Sequence, residues 1–448
     1  MLVKDKKFYR GFFSMTMTIA LQNLIVYGVN LADNIMLGAY SETALSGVAI
    51  ANQVQFLLQM IVTGTASGMG VIVSQYWGKR QTEPIRRVFA VGFWISLILS
   101  AVMSAVVWFL PYGVMGLLTN EQAIIPAGVQ YLKIMVFSYL IFSVSNSLLG
   151  VMRSVETVHI GFYISLATLF INVFLNYMLI YGRFGAPELG VKGAAYATLT
   201  SRVVEFAAIV VYCRFIDKKL RLNFRDIFAL ERSYIRDFFR SGVPLMLSSV
   251  SWGVAMSVQA AILGRLGASG IAASSIAQTL FQCTSVVAYA TGDAARVMTG
   301  MAVGEGDMEK IRSEAKTMQL LFLIIGVITS AVLFAVRKPI ISVYNTSPET
   351  TALANVFVLI LCVTSIGTAY EMPCLTGIVS GGGDTKFVFL NDIVFMWCIV
   401  LPVSALSAFR FKFPPAVTFA LLKADQILKC FVALVKVNRF RWVRVLTR

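Results

Sequence analysis

The sequence predicts an all-α polytopic membrane protein with twelve transmembrane helices in two pseudosymmetric six-helix bundles around a central cavity. Hydrophobic residues make up 58% of its 448 residues, charged residues make up 13%, and the mean hydropathy is +0.77. This is more apolar surface than a water-soluble core can bury. Apolar segments of roughly 20 residues, each able to cross a bilayer as a helix, fill nearly the whole chain. An internal repeat is the third observation.

The twelve predicted spans follow one another with short loops between them. They are residues 12–38, 45–75, 88–111, 127–152, 160–182, 191–215, 236–264, 270–301, 317–337, 351–379, 386–409 and 415–437. The second and eighth spans are rich in Gly, Ser, Thr and Gln, which is typical of helices that line a polar cavity. We expect the first span to remain in the protein, because it is too long for a signal peptide.

Basic residues concentrate in the two terminal segments and in alternate loops, all of which an even number of spans places on one side of the membrane. The positive-inside rule therefore predicts that both termini are cytoplasmic. This clustering beside apolar spans also explains the net charge of +16 without nucleic acid as a partner. We expect a monomer that contacts the lipid bilayer and small-molecule substrates.

The two halves of the chain repeat each other at an offset of 226 residues. This offset places Leu37-Gly38 on Leu263-Gly264, Gly78 on Gly304, and Arg86 on Arg312. The polar segment 216–235 divides the spans six and six, which predicts an N-lobe (1–215), a cytoplasmic linker (216–235) and a C-lobe (236–448). Parallel six-helix repeats of this kind are typical of transporters that work by alternating access, although a repeat can also be a relic of duplication.

Asp33 is an ionisable residue inside the first apolar span. A charge near the middle of a membrane is costly unless it is paired, hydrated or protonated, so such acids are candidate functional residues. The alternative without a functional role is that Asp33 lies close enough to the end of the helix to contact water. The repeat aligns Asp33 with Gln259, and any acid-dependent cation site should therefore lie in the N-lobe.

Polar residues in the fifth and sixth spans are candidate partners of Asp33. Asn172 and Asn176 are four residues apart and share a helical face, and Thr198 follows in the next span. Buried amides need hydrogen-bonding partners, and carboxylate, amide and hydroxyl oxygens also bind Na⁺, while a proton can occupy the acid instead. The alternative is a hydrogen-bond cluster that serves helix packing alone.

Other side chains are candidates for contacting a substrate in the central cavity. Glu371 has no basic residue within one turn of its own helix, which makes it the best C-lobe acid for a cationic substrate. Soft methionine side chains suit a promiscuous pocket, although lipid-facing packing explains many of them equally well. The candidate cavity residues are Gln259, Gln278, Gln282, Glu371, Met60 and Met256.

Several motifs together resemble the MATE (multidrug and toxic compound extrusion) family of bacterial efflux transporters. Asn30-Leu31-Ala32-Asp33 through Leu37-Gly38 and Ala44-Leu45 is similar to its first-helix signature. The region from Ile171-Asn172-Val173 through Asn176, Pro187-Glu188-Leu189-Gly190 and Ala197-Thr198 resembles its fifth-to-sixth helix signature. Further similar segments, in the family's order, are Ser74–Gly78, Gly242–Pro244 and Gly381–Thr385.

The resemblance implies a cation-coupling site, for H⁺ or Na⁺, at Asp33, Asn172, Asn176 and Thr198. The family usually has Asp at the position of Asn176, so the site here keeps one formal negative charge. Many relatives have Glu in helix seven, where this chain has Ser248-Ser249, and a C-lobe sodium site is not expected on that basis. No proline precedes Pro84, so helix bending at a first-helix proline is not expected either.

The sequence therefore predicts a secondary active antiporter that exports amphipathic cationic organic compounds in exchange for H⁺ or Na⁺. It predicts no cofactor besides the coupling ion. The alternative within the transporter class is a flippase for lipids or lipid-linked oligosaccharides, which typically needs a more cationic cavity. An intramembrane enzyme is not expected, because the chain has a single histidine and no catalytic pattern of residues within its helices.

Overall fold

The computed structural model describes residues 2–344 and 346–448, and within them the regular structure is helical. The predicted all-α class is therefore confirmed. The helices are α1 (Lys6–Tyr40), α2 (Glu42–Gly78), α3 (Thr82–Phe109), α4 (Pro111–Leu118), α5 (Ile125–Ser154), α6 (His159–Tyr181), α7 (Val191–Val211), α8 (Arg232–Leu263), α9 (Gly267–Glu305), α10 (Met308–Val343), α11 (Pro348–Met372), α12 (Thr385–Asp392), α13 (Leu401–Ala405), α14 (Pro415–Leu422) and α15 (Asp425–Asn438).

Wider π-helical turns extend or join several of these helices. They cover Tyr212–Ile216 after α7, Pro373–Val379 after α11, Ile393–Val400 between α12 and α13, and Leu406–Arg410 after α13. A short 3₁₀ helix, Phe224–Phe228, precedes α8. Counting these extensions, ten helical segments of the described residues are long and apolar enough to cross a membrane. The predicted spans 191–215 and 415–437 fall outside those ten, on α7 and on α14 with α15.

The last predicted span, 415–437, is wrong as a single helix. It is broken at Lys423 and Ala424, between α14 and α15, and the backbone of Lys423 leaves helical geometry with φ −106° and ψ 2°. The Lys423 side chain is only 4% exposed, and its Nζ lies 4.6 Å from the centre of the Phe281 ring. A break in a membrane helix is tolerated where neighbouring groups satisfy the freed backbone, and Asp425 supplies an acid to the first turn of the new helix.

The chain forms two compact units. The N-terminal unit comprises Leu21–Val73 and Arg80–Ser249, and the C-terminal unit comprises the described residues of Met1–Ala20, Ser74–Lys79 and Val250–Arg448. The boundary between the units does not coincide with that of the internal repeat. It falls within α1, α2 and α8, and each of these helices contributes residues to both units. The division into lobes 1–215 and 236–448 with a linker at 216–235 remains a prediction.

Small residues bring α2 and α8 close together in the N-terminal unit. A Cβ atom built on Gly68 would lie 2.6 Å from Cα of Gly242, and one built on Gly64 would lie 2.8 Å from Cα of Met246. Helices in membranes associate through such small-residue contacts, because no hydrophobic effect drives them together within lipid. This contact fixes the distance between α2 and the first half of α8.

The segment after α15 packs onto the C-terminal unit. Trp442 is fully buried, and a Cβ on Gly382 would lie 2.1 Å from its ring. The Gln75 amide nitrogen donates to Gly381 O (3.3 Å) and Arg444 O (3.2 Å), and its oxygen accepts the N–H of Leu446 (2.8 Å). The end of α2 is thereby joined to the turn before α12 and to the segment after α15.

We predict that Gly68→Ala lowers the stability of the protein. Alanine gains about 1 kcal/mol over glycine in a helix, but overpacking against the Gly242 backbone costs about 1–3 kcal/mol. The midpoint of thermal unfolding in detergent measures the balance. Gly116→Ala, where the new Cβ meets no atom within 4 Å, is the control and should unfold no earlier than the wild type. Equal midpoints for the two variants would contradict the close contact.

Candidate cation site

Three helices of the N-terminal unit position the candidate site. The Tyr181 hydroxyl at the end of α6 donates to Met36 O in α1 (2.7 Å). A Cβ on Gly193 would lie 2.5 Å from Leu179 O, so only glycine allows α7 to pack this closely on α6. These contacts bring the polar faces of α1, α6 and α7 together.

The four residues predicted for the cation site form one hydrogen-bonded chain. The Asn176 amide nitrogen donates to Asp33 Oδ1 and also to Asn172 Oδ1 (3.0 Å), and the Asn172 amide nitrogen donates to Thr198 Oγ1 (3.4 Å). Asn172 and Asn176 are almost fully buried, while Asp33 and Thr198 are half-buried. The structure thus brings all four together, and their role in coupling remains a prediction.

One buried oxygen atom of this hydrogen-bonded series of four residues has no hydrogen-bond partner. Asn176 Oδ1 is buried and accepts no hydrogen bond among residues 2–344 and 346–448. Leaving such an acceptor unsatisfied costs about 1–3 kcal/mol, and a bound cation or its water would satisfy it. In the described part of the chain no three His, Cys, Asp or Glu side chains gather around a common point. The single carboxylate with amide and hydroxyl oxygens suits a proton or a monovalent cation.

Two neighbours of the site were not identified as functional from the sequence. The Tyr131 hydroxyl interacts with Thr198 and lies within electrostatic range of Asp33. Arg202 also acts electrostatically on Asp33, while its Nη1 pairs with Glu205 Oε2 (2.7 Å). Arg202 lies four residues after Thr198, and this spacing was an available sign that Arg202 faces the same site.

The residues predicted for the substrate cavity lie in different surroundings. Gln259 is buried, and its amide nitrogen lies 3.5 Å from Met396 Sδ. Gln278 and Met256 are half-buried, and Gln282 is exposed. Met60 is half-buried in α2 and belongs to the N-terminal unit, whereas the other five belong to the C-terminal unit. Their contact with a substrate remains a prediction.

Glu371 belongs to a buried group of charges in the C-terminal unit. Lys429 Nζ lies 2.9 Å from Asp392 Oδ1 and 3.7 Å from Asp425 Oδ2, and it also acts electrostatically on the buried Glu371. Asp425 and Lys429 are four residues apart on one helix, as an ion pair requires, but Asp392 is the closer partner. One lysine thus neutralises charge on acids from α11, α12 and α15.

A double-mutant cycle at Asp33 and Asn176 tests the hydrogen bond between them. We expect Asp33→Ala and Asn176→Ala to be non-additive in the free energy of unfolding by about 0.5–3 kcal/mol, because each removes the same hydrogen bond. Chemical denaturation in detergent gives the three values needed. Asn223→Ala, which shares no hydrogen bond with Asp33, replaces Asn176→Ala in a control cycle that should be additive. Additivity in both cycles would contradict the contact.

We predict that Lys429→Met destabilises the protein by about 3–5 kcal/mol, because it leaves buried acids without their counter-ion. The matched control is Lys310→Met, which breaks an exposed pair with Glu305 and should cost about 1 kcal/mol or less. Unfolding in detergent followed by circular dichroism measures both variants. Similar losses of stability would mean that the buried group does not depend on Lys429.

Comparisons with known proteins identify the family of this chain and its fold. The sequence model of the MatE family matches residues 18–178 and 244–406, which together form more than half of the chain. The two matched segments begin at residues 18 and 244, reproducing the 226-residue offset of the internal repeat. The uncharacterized transporter YisQ of Bacillus subtilis (strain 168) is 22% identical over 426 residues, which cover 94% of this chain and 92% of YisQ.

Solved structures show the same fold at 18% identity. A MATE structure in complex with MaL6 has a TM-score of 0.86 and covers 96% of this chain and 95% of its own. An outward-facing multidrug resistance MATE transporter of the MOP superfamily has a TM-score of 0.84 with 98% of both chains covered. A MOP superfamily transporter from Pyrococcus furiosus Vc1 has a TM-score of 0.85 with both chains fully covered. The chain is a multi-pass membrane transporter of the MATE family.

Proposed function

We propose that this transporter is a secondary active antiporter that exports amphipathic cationic organic compounds in exchange for H⁺ or Na⁺. The observation that carries the proposal is the chain from Asp33 through Asn176 and Asn172 to Thr198, which holds one carboxylate beside one unpartnered amide oxygen. A lone acid in a membrane helix is expensive to keep without a function. Membership of an efflux family supports the same conclusion.

Asp33 carries the coupling charge alone in this proposal. When ionised, its carboxylate accepts the hydrogen bond from Asn176, and a proton or Na⁺ that arrives there neutralises the only acid of the chain of four. Asn172 links this change of charge to Thr198 on α7, because its amide oxygen accepts from Asn176 and its amide nitrogen donates to Thr198. Loading the site thus changes the charge on α1 and the hydrogen bonding between α1, α6 and α7.

Alternating access follows only if the two orientations of the transporter bind the coupling ion differently. The half-buried position of Asp33 supports a site that ions reach from water in one orientation. The internal repeat supports the movement itself, since transporters with parallel repeats move one bundle against the other around a central site. Exchange then requires that substrate and coupling ion favour opposite orientations.

The proposed substrate contacts come from the sequence. Glu371 supplies a buried carboxylate for a cation, and Gln259, Gln278 and Gln282 supply amides, while Met60 and Met256 supply adaptable apolar surface. Lys429 acts electrostatically on Glu371 as well as on Asp392 and Asp425. A cationic substrate would therefore compete with this lysine for Glu371. We further propose a monomer in the bacterial inner membrane with both termini in the cytoplasm, which the distribution of basic residues supports.

The central test is efflux from reconstituted vesicles by the Asp33→Asn variant. This change keeps the size of the side chain and removes its charge, so we expect the loss of gradient-driven export of a fluorescent organic cation. Glu121→Gln, a change in an exposed loop, is the control and should transport normally. Full efflux by Asp33→Asn at wild-type protein levels would reject the assignment.

A second measurement identifies the coupling ion. Wild-type vesicles are given either a proton gradient or a sodium gradient, and we expect one gradient alone to drive export. The same gradient should have no effect on Asp33→Asn vesicles, because the residue that binds the ion is then uncharged. Export that depends on neither gradient would count against secondary antiport.

A further inference from the structure

The segment between α7 and α8 exposes an unusual combination of side chains. Phe215, Phe224 and Phe228 are 78%, 76% and 62% exposed. Exposed cationic residues stand among them in the sequence. We define the linker surface as Phe215, Phe224, Phe228, Arg214, Lys218, Arg221 and Arg225. Exposed apolar groups gathered in this way mark an interaction site.

Two acids of the same segment, Asp217 and Asp226, are held by backbone N–H groups, and the third, Glu231, pairs with Arg87 Nη1 (2.5 Å). The Asp217 carboxylate accepts backbone N–H groups from Lys219 (3.2 Å), Leu220 (2.9 Å) and Arg221 (3.0 Å). The Asp226 carboxylate caps the 3₁₀ helix by accepting the N–H of Asn223 (2.7 Å). These two acids are therefore occupied by the backbone, and the outward charge of the segment is positive.

Contacts with α3 hold the segment in place. Trp94 Nε1 donates to Ile227 O (2.9 Å), and Arg86 Nε donates to Leu220 O (2.9 Å). Leu220 is fully buried, and the Trp94 ring packs on Phe228 with centroids 6.1 Å apart. The linker surface is thus fixed before any partner binds, which lowers the entropic cost of binding.

We propose that the linker surface binds the anionic phospholipids of the leaflet that it faces. Arg and Lys attract the phosphate of the headgroups, while phenylalanine rings enter the apolar part of the interface. The segment continues into α8, which is long and apolar enough to cross a membrane, and the neighbouring exposed side chains of Val211 and Phe239 are apolar. This continuity with the lipid-facing surface favours a bilayer over a water-soluble protein as the partner.

Binding of this kind would make the local structure depend on lipid charge. Each basic residue near an anionic membrane strengthens association about fivefold, and salt weakens the effect. Four basic residues on a fixed surface are sufficient to enrich anionic lipid around it. The inference does not depend on the coupling ion or the transported compound, because it concerns a surface distant in sequence from Asp33.

The test is hydrogen exchange of the full chain in nanodiscs, comparing pure phosphatidylcholine with a mixture containing phosphatidylglycerol. We expect amides of residues 212–231 to exchange at least about threefold more slowly with phosphatidylglycerol at low salt, with the difference shrinking at high salt. The variant R214Q/K218Q/R221Q/R225Q should lose this dependence on lipid charge. The variant K4Q/K6Q/K7Q/R10Q, which removes the same charge elsewhere, should keep it in this segment.

A second variant covers the case in which the quadruple linker change prevents folding. F215S/F224S leaves the charges and the contact of Phe228 with Trp94 intact, and it should raise exchange of residues 212–231 in both lipids, because these two rings no longer enter the interface. Equal exchange of the wild type in the two lipids would overturn the proposal, and so would a lipid dependence that survives in R214Q/K218Q/R221Q/R225Q. Protection that appears only when a soluble protein is added would overturn it in favour of a protein partner.

Discussion

The structure depends on how each buried charge is satisfied where water is scarce, because an uncompensated charge in hydrocarbon costs several kcal/mol or more. The two units meet this constraint differently. In the N-terminal unit, Asp33 has neutral partners, and a chain of amides leads from it to Thr198. In the C-terminal unit, Lys429 neutralises surrounding acids directly. An acid with neutral hydrogen-bonding partners retains the capacity to gain a positive ion, whereas the acids around Lys429 already share one positive charge.

Much of the fold and the candidate site follows from local sequence. The apolar spans agree with observed helices because the length needed to cross a bilayer leaves few alternatives. Asn172 and Asn176 share a face because they are four residues apart, and Asp33 was the acid expected to lie beside them. The repeat offset followed from matched residues such as Gly78 and Gly304. These inferences use distances along the chain that helical geometry fixes in advance.

Other features depend on contacts between distant segments and were not predictable in this way. The sequence around Lys423 predicts one continuous span, whereas in the structure the helix breaks there and the Lys423 side chain lies beside Phe281 of another helix. The proximity of Lys429 to Glu371 required the packing of α15 against α11. Tyr131 was missed because a single tyrosine in an apolar span resembles many lipid-facing aromatics. The sequence likewise did not predict that the carboxylates of Asp217 and Asp226 accept hydrogen bonds from backbone N–H groups.

The hydrogen bonds of Gln75 have a consequence for biosynthesis. The Gln75 amide oxygen accepts the N–H of Leu446, 371 residues later in the chain. At about 5–20 residues per second, a ribosome needs roughly 20–75 s to make this intervening stretch. During that time the end of α2 is already inserted while its carboxamide, which is fully buried in the finished protein, lacks these partners. The C-terminal unit is therefore completed late in synthesis. Until then, the first two helices must be stable in the bilayer without the contacts to Leu446.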